Sequence, residues 1–207
     1  MRSCILTLLV LLSITVHAQN FAPLGAEWIY NTSRGLFQAK VTRDTSIQGQ
    51  SARIVGYNPH IDSVWSSHGF WMYGIEADYV YDNTDTVFIY DRKLARFTPL
   101  YVFNVADGDT VRLPAMQPVS GMFTDPANTS YTYVVDSLRL MSYGNQSFKT
   151  YYTRTINEPG TQDLRYEVYA EHLGNLYTSL RPTCRRCTFT TSDNEVTTGA
   201  IRCYIVG

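Results

Sequence analysis

Three cysteines near the C-terminus carry the most reactive chemistry of the chain: Cys184 and Cys187 form a Cys-x-x-Cys pair in a polar segment, and Cys203 follows in an aromatic one. Apart from Cys4 at the start, these are the only thiols, so their number is odd and one of them stays free or pairs elsewhere. A disulfide from Cys203 back to Cys184 or Cys187 would tie the last strand to the loop before it, and closing a loop of roughly 15 to 20 residues stabilises by about 3 kcal/mol. A redox pair is a second reading, although such pairs open a helix in a βαβ setting that this sequence lacks. A three-thiolate metal site has no evident fourth ligand. A Cys184 to Cys187 bridge, or reduced thiols, complete the alternatives, and Arg185 and Arg186 would make any free thiol here reactive.

Other groups with chemical potential are scattered. His60, His68 and His172 sit in no nucleophile or metal-ligand pattern, and no Gly-x-Ser-x-Gly, His-Glu-x-x-His or phosphate-cradling glycine loop occurs. His172, in Ala170-Glu171-His172-Leu173, has the make-up of a general base, but a polar residue at a strand end explains it more simply. Glu27, Glu76, Glu167 and Glu171 would serve a glycan hydrolase if two of them converged across a cleft. No cofactor or metal is implied. The richest candidate for binding is the segment around Trp65, Phe70, Trp71 and Tyr73, because flat rings stack on sugar faces and on apolar ligands. The competing reading makes Trp65, Phe70 and Trp71 core residues, and Trp28, opening the first strand, is read as core.

These groups must be positioned by β-structure. The chain has 16 Tyr and 9 Phe with many Thr and Val, and such side chains fit a pleated surface. Short alternating runs recur between turn signals, and no apolar face repeats at helical spacing. The pattern predicts strands over residues 27–31, 36–44, 51–57, 63–67, 70–73, 79–82, 86–91, 97–103, 110–113, 132–143, 147–156 and 164–170. Turns fall at Gln48-Gly49-Gln50, Asn83-Thr84-Asp85, Asp107-Gly108-Asp109, Gly144-Asn145 and Glu158-Pro159-Gly160. Residues 114–126, with three prolines, read as a long loop. Connections this short make antiparallel neighbours, so the expected fold is all-β: an antiparallel meander forming a curved sheet, open barrel or sandwich.

Residues 1–18, MRSCILTLLVLLSITVHA, combine a basic start, a short apolar run and a small-residue cleavage site, the signature of an export signal. The expected mature protein is therefore periplasmic or extracellular, with residues 19–207 forming a single β-rich domain. Loss of Arg2 takes the formal charge from −1 to about −2 with no clustered basic face, which excludes nucleic acid as the expected partner. No second apolar run reaches the roughly 20 residues of a transmembrane helix. Cys4 lies inside the leader, so it would not become a lipid-accepting N-terminus.

Pro23-Leu24-Gly25-Ala26-Glu27-Trp28, the middle segments Tyr81-Asp82-Asn83-Thr84-Asp85-Thr86-Val87, Pro99-Leu100-Tyr101-Val102-Phe103-Asn104 and Gly108-Asp109-Thr110, and the closing Arg202-Cys203-Tyr204 resemble a family of uncharacterised exported β-rich proteins of the Bacteroidota. Members often carry a C-terminal domain for type IX secretion, and none is recognisable after Cys203, so export by that route is not the expectation. The layout, with Leu173-Gly174-Asn175-Leu176 near the end, is also similar to periplasmic half-barrels of the lipoprotein-carrier kind. The Bacteroidota resemblance further implies O-glycosylation acceptors at Asp62-Ser63-Val64, Asp85-Thr86-Val87, Asp109-Thr110-Val111 and Asp136-Ser137-Leu138. The ordinary alternative is an Asp that closes a turn before a strand. Taken together, the sequence is read as an exported, non-catalytic binding or envelope-associated module whose partner is a glycan, an apolar ligand or an envelope protein. A carrier of a lipid or other apolar ligand and a secreted glycan-acting hydrolase are its competitors.

Overall fold

The computed structural model describes residues 21–32, 35–61, 77–92, 94–114, 130–143, 146–156, 166–176 and 198–205. These residues form strands β1 (Glu27–Thr32), β2 (Gly35–Ile47), β3 (Gln50–Ile61), β4 (Ala77–Asp82), β5 (Thr86–Asp91), β6 (Arg96–Val102), β7 (Thr110–Pro114), β8 (Ser130–Tyr143), β9 (Gln146–Ile156), β10 (Tyr166–Ala170), β11 (Gly174–Asn175) and β12 (Thr198–Ile205). They make two curled antiparallel sheets, each a half-barrel. One runs β12-β1-β2-β3-β4-β5-β6 and the other β11-β10-β9-β8-β7. The expected all-β meander therefore holds within each sheet. Hairpin logic alone does not contain the break between β6 and β7, nor the return of β12 to pair with β1. The expected strands at 63–67 and 70–73 lie outside the described residues, as does the loop after Pro114. Pro114 itself closes β7, an edge strand, where a missing amide donor disturbs no ladder.

Local chemistry sets the hairpins. Gln48 and Gly49 both have positive φ, 53° and 80°, the two-residue geometry whose twist matches the flanking strands of β2 and β3. Asn83 accepts hydrogen bonds from the amides of Asp85 (3.0 Å) and Thr86 (2.8 Å), which starts β5 in register. Asp109 accepts from the amide of Ala106 (2.8 Å) immediately before β7. Asp85-Thr86 and Asp109-Thr110 thus each stand at a turn immediately before a strand. Asp136-Ser137 sits instead at a bulge inside β8, where Asp136 pairs with Arg154 at 2.7 Å.

The facing surfaces of the two sheets are filled with aromatic side chains. Trp28, Tyr30 and Tyr151 are fully buried, and Tyr101, Tyr133 and Tyr169 nearly so. Trp28 is thus a core residue, as expected. Rings connect across the interior from Tyr204 through Trp28 (5.4 Å), Phe21 (5.8 Å) and Tyr101 (5.7 Å) to Tyr169 (5.4 Å), which stacks on Tyr151 at 4.8 Å. Tyrosine hydroxyls then bind the backbone of the opposite sheet. Tyr169 donates to Val102 O (3.0 Å), Tyr151 donates to Phe103 O (2.5 Å), and Tyr30 donates to Asn175 O (3.3 Å). Tyr101 in turn accepts from the Asn175 amide at 3.1 Å. Gly174 lets β11 come this close: its φ is +71°, and a Cβ there would lie 3.1 Å from both Phe21 and Tyr101. A second, smaller cluster of Phe148, Val168, Ala170, Leu173 and Leu176 also touches Tyr204. In that region His172 occupies the turn after β10 with φ 64° and packs its ring edge against Phe148 (6.4 Å).

Two buried aromatic groups, Trp28 Nε1 and Tyr204 Oη, have no hydrogen-bond partner among the described residues. Removing a bonded hydroxyl and removing an orphaned one must therefore differ in sign. Tyr169→Phe should cost about 1–3 kcal/mol, whereas Tyr204→Phe should be neutral or mildly stabilising. Urea midpoints at unchanged slope measure both, and equal losses would contradict the network.

Burial raises the pKa of Tyr30, pushes that of Tyr204 up to about 12, and raises that of Tyr151 with help from the nearby Glu171 carboxylate. Unfolded tyrosines ionise near pH 10. The stability held below that pH is thus lost as pH climbs from about 10 through about 12, because only the unfolded chain releases these protons early. Tyrosinate absorbance and loss of sheet signal should rise together over that range. Titration of all tyrosines near pH 10 with the fold intact would contradict this.

Candidate functional site

Strand alternation gives sheet β12–β6 a second face, pointing away from the aromatic interior. Over β4 to β6 this outer face carries Tyr79, Tyr81, Phe88, Tyr90 and Phe97, all half-buried, while Val80, Val87, Ile89 and Leu100 on the same strands enter the core. An antiparallel sheet with one free face ordinarily alternates apolar inside with polar outside. Here both sides are apolar.

Register makes the five rings one surface. Tyr81 faces Phe88 and Tyr90 faces Phe97 across their strands. Tyr81 and Phe88 stack at 4.6 Å with 5° between planes. Phe97 meets Tyr81 (4.8 Å) and Tyr90 (5.3 Å) edge-on, and Tyr90 meets Tyr79 at 6.2 Å. Such cross-strand pairs contribute roughly 0.2–1 kcal/mol each to sheet stability, so the surface is also structural. The Arg92 guanidinium lies 5.2 Å over the Tyr79 ring and donates to Ala77 O at 3.0 Å.

The residues picked out by sequence are different ones. Trp65, Phe70, Trp71 and Tyr73 lie outside the described residues, as do Cys184, Cys187, His68 and Glu76. Cys203 is placed in β12, opposite Ile29 of β1, and His60 in β3, opposite Leu36. Glu27 receives Gln38 Nε2 at 2.6 Å and Lys40 Nζ at 3.4 Å. Glu171 receives the Tyr151 hydroxyl at 3.1 Å, and the Glu167 carbonyl accepts from Thr153 at 3.1 Å. The carboxylates of Glu27 and Glu171 are thus tied into the fold, whereas the Glu167 bond is to its backbone. On the core side, Asp78 and Asp91 are buried: Tyr57 donates a short hydrogen bond to Asp78, and Asp91 accepts the Leu94 amide at 3.0 Å. Among the described residues no group of three or more His, Cys, Asp and Glu side chains is arranged to hold a metal ion.

Sequence reading missed the outer aromatic face because both parities of β4 and β5 are compatible with a core: Tyr79 and Tyr81 alternate with Val80, and Phe88 and Tyr90 with Val87 and Ile89. The available signal was the aspartates, since Asp78, Asp82 and Asp91 share the parity of the valines. No protein-family model matches the chain, and neither the curated proteins nor the solved structures contain a significant match.

Proposed function

We propose that the protein is an exported, non-catalytic binding module of the cell envelope and that the outer face of β4 to β6 is its contact surface. The observation that carries this reading is the continuous set of half-buried rings, Tyr79, Tyr81, Phe88, Tyr90 and Phe97, on the side of the sheet away from the core. Contiguous apolar surface of this kind marks contact sites, and aromatic rings supply large contact area with few torsions to immobilise. The leader-like first eighteen residues and the resemblance to exported β-rich proteins of the Bacteroidota support the location. The carrier alternative asks for room between the sheets, and the space there is occupied by Trp28, Tyr101, Tyr133, Tyr151 and Tyr169. That filling favours an external contact. The hydrolase alternative draws on Glu27, Glu76, Glu167 and Glu171, of which Glu27 and Glu171 have carboxylates already engaged by other side chains.

The test is retention of the natively exported protein on its insoluble envelope fraction, with intact mass read on the same material. The expected chain begins at Gln19. A Tyr81→Ser, Phe88→Ser double variant, checked for an unchanged fold by circular dichroism, should lose about tenfold or more in retention, equivalent to about 1.4 kcal/mol. Undiminished retention would contradict the contact surface, and a mass that includes residues 1–18 would contradict export.

A further inference from the structure

The outer face sorts charge as well as aromatic surface. β2 pairs with β3 through Val41 and Val55 on the core side, then carries one extra residue, Thr42, before pairing resumes with Arg43 opposite Ile54. Bulges re-aim side chains in this way. Beyond the bulge, Asp44 meets Arg53 on the core side at 3.8 Å, and Arg43 falls with Ile54 on the outer side, where it is exposed. Ile54 pairs with Tyr79, which touches Tyr90, which pairs with Phe97. Arg43 thus stands at the end of the cross-strand row that contains the aromatic surface, and Arg92 stands over Tyr79 in the same row.

The carboxylates of β2 to β5 take the other side. Asp78 and Asp91 are buried with the core, Asp82 binds Arg53 (3.4 Å) and the Phe21 amide (3.2 Å), and Asp44 is held by Arg53. Within β2 to β5 the described acids therefore all fall on the core side. Aromatic rings share the outer one with the guanidinia of Arg43 and Arg92, in a chain whose formal charge is −1. Local positive charge on a slightly acidic protein is selective, because it is not supplied by net charge.

The geometry points to an acidic polysaccharide as the ligand of this face. This deepens the reading of the outer face as contact surface and rests on it. Ring faces pack against the apolar faces of sugars, and Arg43 and Arg92 bind carboxylate or sulfate groups spaced along the polymer, oxyanions that offer the guanidinium fork two oxygens at once. Single-stranded nucleic acid shares the taste for rings and cations, but an extended phosphate backbone calls for a longer basic track than two arginines.

The experiment titrates the mature protein with two matched pairs of polymers: polygalacturonate against its methyl ester, and dextran sulfate against dextran. At least one acidic member should bind about tenfold or more tightly than its neutral partner, and that preference should fall as salt rises. An Arg43→Gln, Arg92→Gln double variant should lose the preference and keep the residual neutral binding. Arg43→Gln alone, at an exposed position without a role in packing, should lose part of it and guards against a folding defect from removing the Arg92 contact. Equal affinity within both pairs, with loss on Tyr81→Ser, would overturn the ligand class while leaving the contact surface in place. Binding to neither acidic polymer would overturn the ligand class, and undiminished envelope retention of the Tyr81→Ser, Phe88→Ser variant would separately overturn the surface. Tighter binding to oligo(dT) than to either acidic polymer would overturn the proposal in favour of nucleic acid.

Discussion

Burying a tyrosine is costly unless its hydroxyl finds a partner, and this protein places several of them between two sheets whose own backbones are already paired. The partners must then come from places where the ladders leave a group over. They do: Val102 O and Phe103 O lie at and just beyond the end of β6, and Asn175 lies in the two-residue strand β11. Each bond joins the two sheets, so the hydroxyls fix how one half-barrel sits on the other more strictly than apolar packing alone would. Each net bond contributes only about 0.5–1.5 kcal/mol, but an unmade one costs about 1–3 kcal/mol, which sharply penalises alternative placements. The seam between β1 and β12 is less well served. Trp28 and Tyr204 meet there at a tilt, without hydrogen-bond partners among the described residues, and the β1–β12 register shifts twice.

Filling the interior in this way bears on where the proposed partner would bind. The described interior is occupied by packed rings, so the proposed reading puts the partner on the outer surface of the sheets, which on β4 to β6 is aromatic. The same alternation that sends Val80, Val87 and Ile89 inward sends Tyr79, Tyr81, Phe88 and Tyr90 outward, and the Thr42 bulge brings Arg43 to their side. Core and proposed contact surface are therefore two faces of the same three strands.

Much of this was legible in the residues. Hairpins declared themselves through Gln48-Gly49, Asn83 and Asp109, whose backbone and side-chain preferences act locally. Trp28 was legible as core because a strand-opening tryptophan in an alternating segment has one apolar side to occupy. The return of β12 to β1 was not, since it depends on pairing between chain ends that no local turn dictates. Nor was the outer face of β4 to β6: when both parities of a strand are apolar, period-2 alternation loses its power to distinguish inside from outside. Only the aspartates Asp78, Asp82 and Asp91 break that symmetry. They do so against intuition, because here the charged residues mark the core side, where Tyr57, Arg53 and backbone amides satisfy them.

The central claim is that ligand meets this protein on the outside of β4 to β6 and not between its sheets. Aromatic-resolved NMR of the mature protein, titrated with an acidic polysaccharide fragment, tests it most directly. The account predicts shifts at Tyr79, Tyr81, Phe88, Tyr90 and Phe97, with Tyr101, Tyr133, Tyr151 and Tyr169 unmoved. Shifts confined to those four interior tyrosines would mean that the half-barrels open to take ligand inside, and would contradict it.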